Sequence, residues 1–235
     1  MKTITELWPG GLKYGGDSVG TDSLALADFA MGVPGRQCVD LGCGSGFLLL
    51  CLAFEREDLT ARGIELRPSA AEECRENIRA NGLQQRCSVV CADFRDSGLP
   101  GGSADLAVSN PPYFPAESGA VSPDEERALM RTETASLPEL CAAAARLLRP
   151  GGAFCLVHRV WRMREVFSSL SASGLEPRRM RLIARSSASA PSLFMVEARK
   201  GAKPGLTAEP TLFQCRADGS QTDEYKRICH WEDSL

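Results

Sequence analysis

The chain has 235 residues, a formal net charge of −3, and 24% charged against 43% hydrophobic residues. These proportions are those of a folded globular protein and exclude a collagen-like or disordered one; the length allows one sizeable core with short appendages, at roughly 150 residues per domain. No apolar run reaches the ~18 to 20 residues of a membrane helix, and Met1 to Trp8 lacks a signal peptide's apolar segment, so a cytoplasmic protein with no membrane partner is expected.

In chain order, the apolar spacing of residues 21–31 predicts a helix capped at Thr21 or Asp22. Residues 37–41 read as a buried strand, followed by a glycine loop and an apolar helix over 47–54. A second strand is expected over 59–66 and a helix over 68–80, with Pro68 at its start and Gly82 just past its end. Residues 86–91 and 104–109 read as strands three and four, 116–136 as a polar stretch that could act as a substrate lid, and 137–148 as a helix stopped by Pro150-Gly151-Gly152. A strand over 153–158 and a helix over 161–170 follow, and 178–184 with 192–198 suit a closing antiparallel pair. The repeated alternation predicts an α/β fold, a doubly wound and mostly parallel seven-stranded sheet with an antiparallel edge hairpin. The chain divides into an N-terminal segment (1–35) near the cofactor and substrate, a main domain (36–200), and a C-terminal extension (201–235) with turn signals such as Lys203-Pro204-Gly205 but no assignable elements.

Ten cysteines contain no Cys-x-x-Cys pair and sit mostly in apolar stretches, so they read as small buried hydrophobes of a reducing compartment, with no metal expected. Residues 140–204 hold twelve Lys and Arg against three Glu, leaving the rest of the chain strongly acidic. Such asymmetry suits either a surface for a polyanion or a set of solvated helix faces.

The strongest local pattern is Asp40-Leu41-Gly42-Cys43-Gly44-Ser45-Gly46 between a strand and a helix. Gly42, Gly44 and Gly46 permit a tight turn that lets a ligand approach backbone N–H groups at a helix N-terminus. Glu65, 19 residues past Gly46, ends the second strand where an acid can bind two ribose hydroxyls. The spacing resembles the first motif of the Rossmann-like methyltransferases. That resemblance implies S-adenosyl-L-methionine as cofactor, with Asp40 near its methionine end, Glu65 on the ribose and Asp93 at the adenine amino group.

Strand four ends in Ser109-Asn110-Pro111-Pro112-Tyr113-Phe114. Consecutive prolines continue neither a ladder nor a helix, so the segment must be a stiff loop at the C-terminal edge of the sheet, facing the cofactor. An aromatic amino nitrogen is a poor nucleophile because its lone pair is delocalised. The Asn110 side-chain oxygen and the Pro111 carbonyl can each accept one of its protons, while Tyr113 stacks on the base. The tetrapeptide Asn110-Pro111-Pro112-Tyr113 resembles the motif of amino methyltransferases that act on adenine N6 or on protein glutamine amides.

Upstream, Gly20-Thr21-Asp22-Ser23-Leu24 resembles the Gly-Thr-Asp segment of bacterial tRNA adenine-N6 methyltransferases acting beside the anticodon of valine tRNA; downstream, Lys203-Pro204-Gly205-Leu206 is similar to the tail of that group. The resemblance implies an N6-adenine methyltransferase with tRNA as its RNA partner, with Thr21 and Asp22 near the methionine end of the cofactor and Asn110 bordering both substrates. Asp17-Ser18 depart from it, since many relatives carry a basic or aromatic residue there. Arg162, Arg164, Arg178, Arg179, Arg181 and Lys203 are candidate phosphate contacts; His158 and Arg159 end strand five at the ligand edge and read as structural or solvated, with contact to RNA as the alternative. The alternatives are a protein-glutamine N5-methyltransferase and a catalytically silent module binding cofactor or RNA. The sequence gives no indication of oligomeric state.

Overall fold

The computed structural model describes residues 5–8 (backbone only), 11–16, 20–111 and 136–229. Two short strands, β1 (Thr5–Trp8) and β2 (Leu12–Tyr14), pair antiparallel ahead of helix α1 (Thr21–Met31). The main chain then alternates: β3 (Gln37–Leu41), α2 (Phe47–Glu55), β4 (Thr60–Glu65), α3 (Pro68–Ala80), β5 (Cys87–Cys91) and β6 (Ala104–Ser109). After the polar segment come α4 (Leu137–Leu147), β7 (Leu148–Arg159), α5 (Met163–Ala172), β8 (Leu175–Ala184) and β9 (Leu193–Lys200). The tail adds β10 (Thr207–Ala208), β11 (Leu212–Phe213) and α6 (Asp223–Cys229).

The seven long strands of the main sheet lie in the order β8-β9-β7-β6-β3-β4-β5, and β10 and β11 both pair with β8 on its outer side. Pairing is parallel from β5 to β7, whereas β9 runs antiparallel to both of its neighbours. The anticipated hairpin is therefore present, with β9 inserted between β7 and β8. The sheet also carries two short tail strands beyond the seven long ones.

Alternate residues of the buried strands feed two apolar layers. Cys38, Leu106, Cys155 and Met195 pack with α1 and α2, while Val39, Ala107, Phe154, Leu156 and Phe194 pack with α4 and α5. This two-faced burial is what period-two side chains produce when helices cover both faces of a sheet. All ten cysteines are free and eight are buried; burial pushes the Cys141 thiol up to about 12. Among the described residues no group of acidic, His or Cys side chains is placed to hold a metal ion, and no helix is long and apolar enough to cross a membrane.

Two local features depart from the pattern of the sequence. Residues Pro150 to Gly152 do not separate helix from strand: β7 begins at Leu148 directly after α4, and the irregularity lies in its pairing, where Ala104 faces Leu148 but Leu106 faces Ala153. The extra residues form a bulge on the β7 side. The tail, unassignable from sequence, is fastened to β8 by that strand's own arginines. Arg178 donates to Lys203 O (2.6 Å), Arg179 to Glu209 (3.0 Å), and Arg181 to Pro210 O (2.8 Å) and Glu224 (2.7 Å).

Candidate active site

The direction of strand connection reverses between β3 and β6, the place where open α/β sheets bind ligands beyond the C-terminal strand ends. The glycine loop leaves β3 here and Asn110 follows the end of β6. Gly42, Gly44 and Gly46 take φ of 73°, 56° and 87°, conformations that disfavour any residue with a Cβ. A Cβ on Gly46 would also lie 2.5 Å from Cys74 Sγ, so α3 can approach the start of α2 only over a glycine. At Gly42 a Cβ would meet nothing within 4 Å, so this part of the loop borders open space.

Asp40 lies beneath the loop, 2% exposed, and accepts the backbone N–H of Leu49 in the first turn of α2. Its Oδ2 is buried without a hydrogen-bond partner. Burial raises its pKa to about 7 against the Leu49 hydrogen bond, which lowers it, and the Glu65 carboxylate adds to the rise. A buried carboxyl poised this way gains most from a cationic neighbour, which S-adenosylmethionine, with its ammonium and sulfonium groups, would provide.

Glu65 closes the other side of the loop. Its Oε2 accepts Gly44 N–H (2.8 Å) and its Oε1 accepts both the backbone N–H (2.9 Å) and the side chain (3.0 Å) of Arg67. The carboxylate is thus oriented by the glycine loop itself, and Arg67, whose side chain is 47% exposed, is the partner a ribose would have to share or displace. Leu66, next in the chain, is 44% exposed and offers an apolar surface beside Glu65 that the sequence alone did not single out. Asp93 caps a short helical turn by accepting Arg95 N–H (2.8 Å) and ion-pairs with the Arg95 side chain, which holds its carboxyl below the ordinary range. Its carboxylate is therefore already engaged by Arg95.

Asn110 donates from Nδ2 to Ser23 Oγ at 2.8 Å, joining the end of β6 to the Gly20–Ser23 segment 87 residues earlier. The amide's other end, Oδ1, is the acceptor that chemistry on an amino group requires. Ser109 anchors the approach by donating to Leu41 O (2.8 Å) at the end of β3. Gly20 is the N-cap of α1, Asp22 accepts Ser23 N–H (3.0 Å), and Thr21 hydrogen-bonds with Tyr225 of α6. The structure thus brings Thr21, Asp22 and Asn110 into one cluster; Ser23 and Tyr225 are members that sequence reasoning missed. Pro111 is described, whereas Pro112, Tyr113 and most of the 116–136 segment lie outside the described residues.

Asn77 is a further buried polar group, 1% exposed. Its amide bonds both backbone groups of Gly15 (2.8 and 2.7 Å) and Ser45 O (2.9 Å), tying the N-terminal strand to the glycine loop. His158 is wholly buried, accepts Arg159 N–H at 2.8 Å, and has its pKa lowered to about 4, first by burial and then by Arg162. It is structural. Of the candidate phosphate contacts, Arg178, Arg179 and Arg181 bind the tail and Arg162 pairs with Glu165, whereas Arg164 and Lys203 are exposed.

This strand order, with an antiparallel strand inserted next to the last long one and a glycine loop at the switch point, defines a methyltransferase fold of the Rossmann-like class. The family model of the methyltransferase small domain matches residues 16–170, and the chain belongs to that family. It is 37% identical over 149 residues to a tRNA1(Val) (adenine(37)-N6)-methyltransferase from Porphyromonas gingivalis, a match covering 59% of this chain and 57% of that one. The match thus spans little more than half the length of that relative. A protein of the same name from Tolumonas auensis is 31% identical over 210 residues, 88% of this chain and 86% of its own. Among solved structures, a predicted O-methyltransferase from Agrobacterium tumefaciens superposes with a TM-score of 0.74 at 19% identity, over 89% of this chain and 95% of that one.

Proposed function

We propose that the protein is an S-adenosylmethionine-dependent N-methyltransferase acting on the N6 amino group of an adenine in tRNA, and that it works in the cytoplasm. The observation that carries this reading is the Asn110 carboxamide, held by Ser23 at the end of β6 beside the glycine loop. The orphaned Asp40 oxygen, the open space at Gly42 and the loop-bound Glu65 suit the cofactor. The two relatives described above, named for adenine(37) of tRNA1(Val), favour an adenine acceptor.

When bound, the cofactor supplies an electrophilic methyl group on a sulfonium sulfur. Asp40, Thr21 and Asp22 would face its methionine end, Gly42, Gly44 and Gly46 would border it with backbone, Glu65 would hold its ribose, and Asp93 would reach its adenine beside Leu66. Asn110 Oδ1 and the Pro111 carbonyl would accept hydrogen bonds from the two N–H groups of the target amino group, which localises the nitrogen lone pair. Pro112 and Tyr113 lie outside the described residues; by the resemblance of their motif, Tyr113 would stack on the acceptor base. No strong base is needed, because the proton passes to water after nitrogen has become cationic; alignment supplies most of the rate. In domain terms, residues 1–35 flank the two substrates, 36–200 form the catalytic domain, and 201–235 brace it.

The test compares methyl transfer from labelled cofactor to tRNA, duplex DNA and a release-factor-like protein, with the modified nucleoside identified by mass spectrometry. N6-methyladenosine in tRNA is the expected product. Transfer to a protein glutamine with RNA inert would overturn the adenine assignment, and no transfer to any acceptor would leave a silent binding module.

A further inference from the structure

Among the described residues the most exposed large apolar side chain is Trp161, at 56%. An indole left this open costs solvation free energy, and it lies in a single-turn helix immediately after β7 rather than on a remote face. Its position relative to the site follows from strand register. Leu156 of β7 pairs with Ser109, the residue before Asn110, and β7 continues through Arg159. Three further residues at a rise of ~3.3 Å put the end of β7 on the order of 10 Å beyond the end of β6, on the same edge of the sheet.

Basic residues stand on the elements that follow it and meet it. Arg159 pairs in register with Leu193, Leu193 with Ile183, and Val160 N–H donates to Ser192 O at 3.1 Å, so the β8–β9 loop, which starts at Arg185, meets Trp161's turn at its Ser192 end, with the end of β8 one strand further across. Arg164, in the first turn of α5, and Arg185 are both exposed and have no ion-pair partner among the described residues. The Arg162 guanidinium lies over the Trp161 ring, 5.5 Å from its centroid, and is itself held by Glu165. That contact covers part of the ring, and the residue as a whole remains 56% exposed.

An exposed aromatic ring with exposed, unpaired arginines on the adjoining helix and loop, on the same sheet edge as a centre that handles an extruded base, has the elements by which proteins hold unpaired nucleic-acid strands: a stacking surface and a charged track for phosphates. We propose that Trp161 stacks on a base neighbouring the acceptor on the same unpaired RNA strand, with Arg164 and Arg185 binding the adjoining phosphates. The inference rests on RNA being the acceptor. It also relocates the RNA surface from the β8 arginines, which bind the tail, to the end of β7.

The experiment uses the full chain and a tRNA transcript that the unaltered protein methylates. Trp161→Ala should weaken tRNA binding and raise KM for tRNA about 5- to 150-fold, the range for loss of one base on an aromatic ring, with cofactor affinity unchanged. Trp161→Phe keeps a ring and should retain most of the affinity while losing the RNA-dependent quenching of indole fluorescence. Replacing Arg164 and Arg185 by Gln should reduce the log-log salt slope of tRNA binding by roughly 1.4 to 1.8. Active protein in which Trp161→Ala, folded by thermal melt and cofactor binding, shows unchanged tRNA KM would overturn this inference alone. Unaltered protein inert toward RNA but active on a glutamine would overturn the functional reading and this inference together.

Discussion

Asp40 couples the stability of the ligand-free protein to pH. Its pKa is about 7 in the fold against an ordinary 3.8, so the fold favours the protonated carboxyl. The stability this contributes is fully present below about pH 4 and is lost as pH rises towards 7. At 1.36 kcal/mol per unit, the total loss reaches about 4 kcal/mol above pH 7. Asp40→Asn keeps an acceptor for Leu49 N–H and never ionises. Urea unfolding of both proteins without cofactor, at pH 5 and pH 8, isolates the effect because all other titrations are shared. The unaltered protein should lose roughly 2 to 3 kcal/mol relative to Asp40→Asn between those two pH values, by the same linkage. Cofactor, offering a cation to the ionised form, should bind Asp40→Asn more weakly at pH 8. An identical stability difference at pH 5 and pH 8 would refute the reasoning, since Asp40 would then not be held protonated in the fold.

Glu65→Ala should weaken cofactor binding in calorimetry by about 1.5 to 3 kcal/mol, the range for hydrogen bonds to a charged group; unchanged affinity would place Glu65 outside the site. Asn110→Ala should abolish turnover while cofactor affinity stays within about threefold, because the side chain acts on the acceptor; an active variant would sink the mechanism. Ser23→Ala should lower kcat more than it raises KM, since it leaves the Asn110 amide without the partner that orients it, and steady-state kinetics distinguish the two. Arg179→Ala removes the link among Glu197 (2.8 Å), Glu209 (3.0 Å) and Phe29 O (2.6 Å). It should cost about 2 to 4 kcal/mol, seen as a melting temperature lowered by roughly 5 to 15 °C.

The alternation of β3 to β6 with their helices was readable because each element carries its own period and its own stop, as Pro68 and Gly82 do for α3. The placement of the Asp40 and Asn110 motifs at strand ends was readable for the same reason, since each follows its own apolar strand. Strand order was not: no local pattern marks that β9 enters between β7 and β8. The tail was illegible because β10 and β11 have two residues each and α6 seven, too short to signal by periodicity. They form because Arg178, Arg179 and Arg181 on β8 supply partners 25 to 43 residues away in sequence. A charge count reads these arginines incompletely. It registers their sign but not that Glu209, Glu224 and two backbone carbonyls consume it. Ser23 and Asn77 were missed because a single small polar residue carries no pattern, and their partners lie 87 and 62 residues away.

The bracing of α1 by α6 has a consequence for how the chain is made. Arg227 ion-pairs with Asp28 across 199 positions at 2.8 Å, and Tyr225 reaches back to Thr21, two residues from the serine that orients Asn110. During vectorial synthesis α1 therefore waits for its clamp until nearly two hundred later residues have left the ribosome, and contacts of such long sequence separation form late. A ribosome-bound chain lacking α6 would hold a finished sheet and glycine loop but an unfastened Gly20–Ser23 segment. Under the function proposed above, the Gly20–Ser23 side of the site would be fastened only once α6 has docked.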